Sequence, residues 1–329
     1  MNNSTFLLSD WQLDIAKPAH DAQLRTLFFQ TFGHTISQEE WNWKYTDIEF
    51  RGSLLSNKSG ELIGFFGGMP RAFVYRGQRY LGVQNGDVMV RTKERGIFSR
   101  RGAFYQVANH FIGQFIGPKS LYAFGFGFPH HRAYKLGIQL KLYKQAGHLQ
   151  ELSWAPIIPH RHWHWHWQPI NQINRNNAAL DRLWLHMQRS WFDYFLPVRD
   201  SNYWHWRYQQ RPCQNYHLLL LRQRITGRPL AAVAFRIHDE YCHWLDYLGT
   251  RAHLGIAIQA AREFAKIHDK PLRALVNDAI VHHFTAEQPQ EVHVKSSNIY
   301  IPTNASLTSD QTKPWIGRFW LMGGDSDFM

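Results

Sequence analysis

Cysteine is nearly absent from this sequence, with only Cys213 and Cys242 in 329 residues. Two thiols cannot build a disulfide framework, nor a zinc site by themselves, and such sparing use suits a reducing compartment. Long apolar runs are missing as well. The nearest, Phe111 to Phe128, is broken by Gln114, Pro118, Lys119 and several glycines, so it falls short of the roughly 18 apolar residues a membrane helix needs. Met1 to Asp14 carry neither the basic start nor the apolar stretch of a signal peptide, which points to a cytoplasmic protein. Acidic residues are outnumbered, 25 Asp+Glu against 37 Lys+Arg, for a formal charge of +12 with 20 His besides. That excess favours anionic partners, whether nucleic acid, a membrane surface or a polyphosphate group, without choosing among them. Neither the Rossmann nor the Walker A glycine spacing occurs, which disfavours nicotinamide cofactors and ATP.

What is present is apolar material and a repeat. Hydrophobic residues make up 44% of the chain and aromatics 15%, enough for a packed core, and the length suits two domains of about 100–200 residues each. Trp41-Asn42-Trp43-Lys44-Tyr45 returns 163 positions later as Trp204-His205-Trp206-Arg207-Tyr208. Each copy is followed by an apolar stretch, a Gly-containing turn (Lys58 to Glu61, Ile225 to Arg228) and a second apolar stretch. Both copies read as a β-hairpin behind a helix. Within the box, Trp41 and Tyr45 lie one helical turn apart, the spacing of a shared core face.

The first half predicts a helix over Pro18–Phe32 and a second capped by Ser37 with Glu40 three residues on. Strands follow over 53–57, 61–67, 69–76 and 79–90, then a helix near 102–116, a strand over Leu121–Phe128, a helix near 130–137 and a strand to 154. The second half predicts a helix over Asn177–Phe195, the repeated hairpin, a strand at His243–Leu248, a helix at Leu254–His268, a strand at Leu272–Val276 and closing elements. The order defines a mixed α+β layer with helices on both faces of a sheet.

Chemistry concentrates where the strand Gly86-Asp87-Val88-Met89-Val90 runs into Arg91-Thr92-Lys93-Glu94-Arg95-Gly96-Ile97-Phe98-Ser99-Arg100-Arg101-Gly102 and then a helix from Ala103. Four arginines, a lysine and two glycines open a helix there. Glycine allows close backbone approach, free amides at a helix start point at anions, and the added cations make a polyphosphate-binding loop.

Here the chain resembles the GCN5-related N-acetyltransferase (GNAT) superfamily, in which Gln/Arg-x-x-Gly-x-Gly/Ala follows a strand and opens a helix. Arg95-Gly96 and Arg101-Gly102-Ala103 carry the likeness, six residues apart and without the compact Gly-x-Gly. Tyr122 to Pro129, followed by His130-His131-Arg132-Ala133-Tyr134-Lys135-Leu136-Gly137, matches the family's splayed strand and the helix after it. The resemblance implies an α+β (mixed α/β) fold of two tandem GNAT-like domains, each a mostly antiparallel twisted sheet with helices on both faces. It implies a catalytic domain over 1–155, a connector over 156–176, and a degenerate domain over 177–329 that shapes the acceptor cleft. The cofactor implied is acetyl-CoA or another acyl-CoA, with Arg95, Gly96, Ser99, Arg100, Arg101, Gly102 and Ala103 around its pyrophosphate. Amides at Met89 and Val90 would hold the pantetheine and polarise the thioester carbonyl. Asp87 is the candidate base for the amine's proton and Tyr134 the candidate acid for the departing thiolate. The activity implied is N-acyl transfer to a primary amine of a small molecule or sugar. Two alternatives are FemABX-like aminoacyl transfer from a charged tRNA and a non-catalytic binding module. Nucleic acid ranks behind a small amine as partner.

His160-Arg161-His162-Trp163-His164-Trp165-His166-Trp167 reads as a connector strand, with imidazoles toward solvent and indoles packed on the other face. No Cys, Asp or Glu adjoins it, so no metal site is assigned. Trp315 to Phe328 reads as a closing strand and a solvated acidic tail.

Overall fold

The computed structural model describes residues 11–45, 48–96, 99–287, 290–304 and 315–327. Two compact units divide the chain: one comprises residues 1–71, 81–144 and 302–312, the other 72–80, 145–301 and 313–329. Several strands contribute residues to both.

In the first unit the strands β1 (Trp11–Ala16), β2 (Gly52–Asn57), β3 (Leu62–Tyr75), β4 (Gln78–Val90) and β5 (Phe124–Gly127) lie side by side in that order. β1/β2 and β2/β3 are antiparallel, whereas β4 and β5 run parallel. Helices α1 (Asp21–Phe32), α2 (Gln38–Tyr45), α3 (Ala103–Phe115) and α4 (His131–Gln139) accompany them. Gly33 ends α1 in the left-handed conformation and returns its amide to the Phe29 carbonyl, a residue-type requirement that only glycine meets cheaply. Ser37 accepts from the Glu40 amide at 3.0 Å and starts α2. The core gathers Leu24, Leu27, Trp41, Tyr45, Leu54, Phe65 and Met69.

The expected pair of strands over 61–67 and 69–76 is one continuous strand, β3. Gly67 and Gly68, where the break was expected, take no positive φ. They are glycines for lack of room: a Cβ on Gly67 would lie 2.6 Å from the Tyr45 hydroxyl and 2.8 Å from the Gly86 carbonyl oxygen.

In the second unit β6 (Tyr143–Trp154), β7 (Trp165–Pro169), β9 (His217–Gln223), β10 (Pro229–Ile237), β11 (Cys242–Gly249), β12 (Leu272–Asn277) and β13 (Val292–Asn304) take the order β13-β6-β12-β11-β10-β9-β7. The short β8 (Leu196–Pro197) pairs with the end of β3. β11 and β12 are parallel, as β4 and β5 are. Helices α5 (Ala178–Ser190), α6 (Ser201–Trp204), α7 (Leu254–Ile267) and α8 (Val281–Glu287) complete it. The run β2-β3-β4-α3-β5-α4-β6 thus has its counterpart in β9-β10-β11-α7-β12-α8-β13. The aromatic box ends in regular helix in the first copy and in a π-turn, His205–Gln209, in the second.

Two expectations fail here. The tail is not solvated: Met322 pairs with Val276, and Asp325 and Ser326 are buried. The histidine ladder is not one alternating strand either. Strand structure begins only at Trp165, Trp163 is 85% exposed, and His162 turns inward.

His243 on β11 is almost wholly buried, and desolvation depresses its pKa to about 3. The fold therefore holds it neutral, while the unfolded chain takes a proton near pH 6.5. Stability is full above that value and drains away as pH falls toward 3. At about 1.4 kcal/mol per pH unit, His243 should remove on the order of 3 kcal/mol between pH 7.5 and 4.5. Urea unfolding at both pH values should show this loss, and His243→Gln should shrink it.

Candidate functional site

The aromatic box does more than pack. Trp41 and Tyr45 pack with ring centroids 4.6 Å apart in a tilted arrangement, and Trp204 and Tyr208 pack edge to face at 5.2 Å. From α2, Lys44 Nζ reaches Asp87 Oδ1 at 2.8 Å and the Tyr45 hydroxyl donates to Asp87 Oδ2 at 2.7 Å. The Lys44 and Asp87 side chains are each only 6% exposed. In the second unit the Tyr208 hydroxyl donates to Asp246 Oδ2 at 2.9 Å, and Arg199 Nε donates to Oδ1 at 2.7 Å. Both units therefore hold an aspartate of the third hairpin strand between the box tyrosine and a cation. Asp87 sits at φ +48, a left-handed conformation that Asp tolerates better than most residues.

Pairing of β4 with β5 ends at Asn85 and Gly127, and the following residues 86–88 are half-buried. Where the strands separate, Asn85 Nδ2 donates to Asn304 Oδ1 at 3.1 Å. The other amide atoms, Asn85 Oδ1 and Asn304 Nδ2, are buried without a partner among the described residues. One acceptor and one donor are thus left for something else to satisfy. Further along β4, the Arg91 amide donates to the Ile63 carbonyl of β3. Strand alternation then turns the amide of Val90 away from β3, toward the side where pairing with β5 has ended, and that of Met89 back to it.

Of the basic loop, Ile97 and Phe98 lie outside the described residues. Arg91 pairs with Glu61 at 2.5 Å. Arg95, itself exposed, ties the loop to neighbouring backbone, its Nε on the Val90 carbonyl at 2.6 Å and an Nη on the Thr31 carbonyl at 3.2 Å. Gly96, Ser99, Arg100 and Arg101 are exposed, and the Arg100 guanidinium lies 6.0 Å from the Tyr105 ring centroid. Gly102 caps α3 without a side-chain acceptor, so the amides from Ala103 onward keep the donor capacity of a helix start. Arg100 and Arg101 flank those amides. Tyr134 is buried on α4, 9% exposed, and is not among the hydrogen-bond partners of Asp87 described above.

The second unit repeats the strand opening and fills it. Pairing of β11 with β12 ends at Trp244 and Ala274. Beyond that point the Asn277 amide donates to the Leu321 carbonyl, and Arg207 Nε donates to the Gly324 carbonyl at 2.9 Å. Gly324 is there for closeness: a Cβ would lie 2.8 Å from the Leu245 carbonyl oxygen and 2.5 Å from the Tyr208 hydroxyl. The chain's own residues 321–324 thus touch both separated strands. At the start of α7 the single arginine, Arg251, stacks over Trp191 and Tyr194 at 4.9 and 5.1 Å.

This architecture is the GNAT fold. The chain superposes on a GCN5-related N-acetyltransferase from Anabaena variabilis with a TM-score of 0.66 and 16% identity, covering 93% of this chain and 75% of that one. A probable N-acyltransferase from Enterococcus faecalis gives 0.67 at 13% identity, over 90% and 73% of the two chains. N-myristoyltransferase of Saccharomyces cerevisiae, solved with bound myristoyl-CoA, gives 0.55 at 10% identity, over 91% and 83%. No protein-family profile matches the chain, and no curated protein does. Among the described residues no helix is long and apolar enough to cross a membrane.

Proposed function

We propose that the chain is a cytoplasmic acyl-CoA-dependent N-acyltransferase, of the acetyl-transferring kind, acting on the primary amine of a small molecule. The observation that carries this reading is the contrast between the units. In each, a pair of parallel strands diverges beside a buried amide atom without a partner among the described residues, Asn85 Oδ1 in the first and Asn277 Nδ2 in the second, but only the first adds half-buried strand residues and an arginine-flanked helix start. Donor binding is accordingly assigned to the first unit alone.

An acyl-CoA fits the donor set. Arg100, Arg101 and the amides from Ala103 would hold its phosphates, with Gly96, Ser99 and Gly102 keeping the backbone close. Asn85 Oδ1 and Asn304 Nδ2 match an amide-bearing chain such as pantetheine, and the Val90 amide would face the thioester oxygen. Bound acyl-CoA supplies an acyl group activated toward an amine. Tyr134 is the assigned proton donor on the leaving side. Asp87 takes a positioning role in place of the base: both its oxygens are engaged, and Asp246 has the same arrangement in a unit without the basic loop.

Calorimetric titration with acetyl-CoA, CoA and longer acyl-CoAs tests the reading. Arg100→Ala and Arg101→Ala should each weaken binding about tenfold, as expected for one charge-assisted hydrogen bond. Tyr134→Phe should leave binding intact and lower turnover by about 100-fold. Binding that ignores both arginine substitutions would remove the site, and no uptake of any CoA species would remove the activity.

A further inference from the structure

Glu263, on α7, is 1% exposed and lies outside every residue assigned above. A carboxylate so deeply buried requires a positive partner. Two imidazoles converge on it from the connector. His162 Nε2 stands 2.6 Å from Glu263 Oε1 and His160 Nδ1 stands 3.5 Å from the same oxygen. All three ligand atoms lie within 4.8 Å of one another. We infer that His160, His162 and Glu263 form a divalent transition-metal site of the zinc class.

The surroundings hold these groups in place. The Trp167 indole N–H reaches Glu263 Oε2 at 3.4 Å, which leaves Oε1 as the oxygen facing the imidazoles. The His162 ring stacks on Trp165 at 3.8 Å and 16°, and its backbone carbonyl accepts from Arg224 Nε at 2.8 Å. Arg224 also donates its amide to the His164 carbonyl and an Nη to the Trp165 carbonyl. The connector is thereby pinned to the β9–β10 hairpin at the point where it presents its histidines. Such outer contacts are what fix ligand orientation in metal sites.

Geometry and donor type select the ion. Tetrahedral zinc with bonds of about 2.0–2.1 Å separates its ligand atoms by about 3.3 Å. The His160–Glu263 pair already has that separation. The His162–Glu263 pair stands at hydrogen-bond distance, so an ion replaces the shared proton and widens it by less than about 1 Å. Two imidazoles and one carboxylate suit zinc, cobalt or nickel, whereas magnesium and calcium prefer all-oxygen sets. Three protein ligands leave a fourth position for water. The ion would tie the connector to α7 across 101 residues of sequence.

The test uses the full chain without a histidine tag, stripped with chelator and titrated with zinc sulfate by calorimetry, with cobalt absorption as a second readout. One equivalent per chain is expected. His160→Asn and His162→Asn should each weaken uptake more than tenfold, the loss that removal of an outer-shell partner alone can cause. His164→Asn, in the same histidine-rich run but outside the cluster, should change nothing. Glu263→Gln is buried and risks misfolding, so exposed His160 decides the matter. Uptake below one equivalent, uptake that survives His160→Asn, or uptake that falls with His164→Asn would overturn the site in favour of a simple imidazole–carboxylate hydrogen bond.

Discussion

Arg199→Met should lower the thermal unfolding midpoint by about 10 °C or more. Arg199 is fully buried and donates to Asp246 at 2.7 Å and Asp325 at 2.6 Å, with a third bond to the Pro197 carbonyl. Its guanidinium also lies 4.6 Å from the Trp320 ring centroid. Removing the cation of a buried cluster costs about 3–5 kcal/mol, because the carboxylates left behind have lost both their partner and their water. Two aspartates lose their shared cation at once, while keeping hydrogen bonds from the Tyr208 hydroxyl and from the Tyr247 and Met322 amides. A domain of this size shifts by about 2–4 °C per kcal/mol. Burial already pushes the Asp246 pKa upward against the pull of Arg199, so the vacated cluster should take up protons, and the loss should be smaller at low pH. The control is the triple variant Arg199→Met, Asp246→Asn, Asp325→Asn, which removes all three formal charges. It should recover some of the lost midpoint, as expected for coupled sites. Equal losses in the single and triple variants would mean that Arg199 acts through packing alone.

The duplicated plan was legible because the box and the elements after it recur at a fixed spacing, and secondary structure follows short-range pattern. The strand, basic loop and glycine at the start of α3 were legible for the same reason, since they are adjacent in sequence. What escaped depends on chain segments that meet only on folding. Tyr45 reads from the sequence as a core residue beside Trp41, and Lys44 carries no assignment there. Nothing local announces that their polar ends converge on an aspartate 42 and 43 residues away. Asn304 reaches Asn85 from 219 residues on, and Glu263 reaches His162 from 101. A histidine run without a neighbouring acid was therefore read as bare, although α7 supplies one. The tail was read as solvated from its two aspartates. Asp325 is instead the second anion of the Arg199 cluster, and Asp327 offers its backbone carbonyl to Arg211 at 2.8 Å.

Asp87→Asn separates the two roles a carboxylate on β4 can have. A proton acceptor must present a free oxygen, and its amide variant folds normally while turnover falls by about 100-fold or more. A lock behaves differently. The amide keeps the Tyr45 hydrogen bond and, like Asp, tolerates the positive φ. It leaves the Lys44 ammonium buried without its counter-charge, at a cost of about 3–5 kcal/mol. The midpoint of the first unit should then fall by about 10 °C. Lys44→Met should cost as much, since it strands the carboxylate. The pair Lys44→Met, Asp87→Asn should be milder than the sum of the two, the signature of a broken charge pair. Asp87→Ala should be worse than Asp87→Asn by about 1 kcal/mol or more, because alanine lacks both the hydrogen bond and the ease of a left-handed backbone. A normal midpoint with lost turnover in Asp87→Asn would return Asp87 to the role of base. A lowered midpoint, reproduced by Asp246→Asn in the second unit, would show one device used twice, with the basic loop added to one copy only.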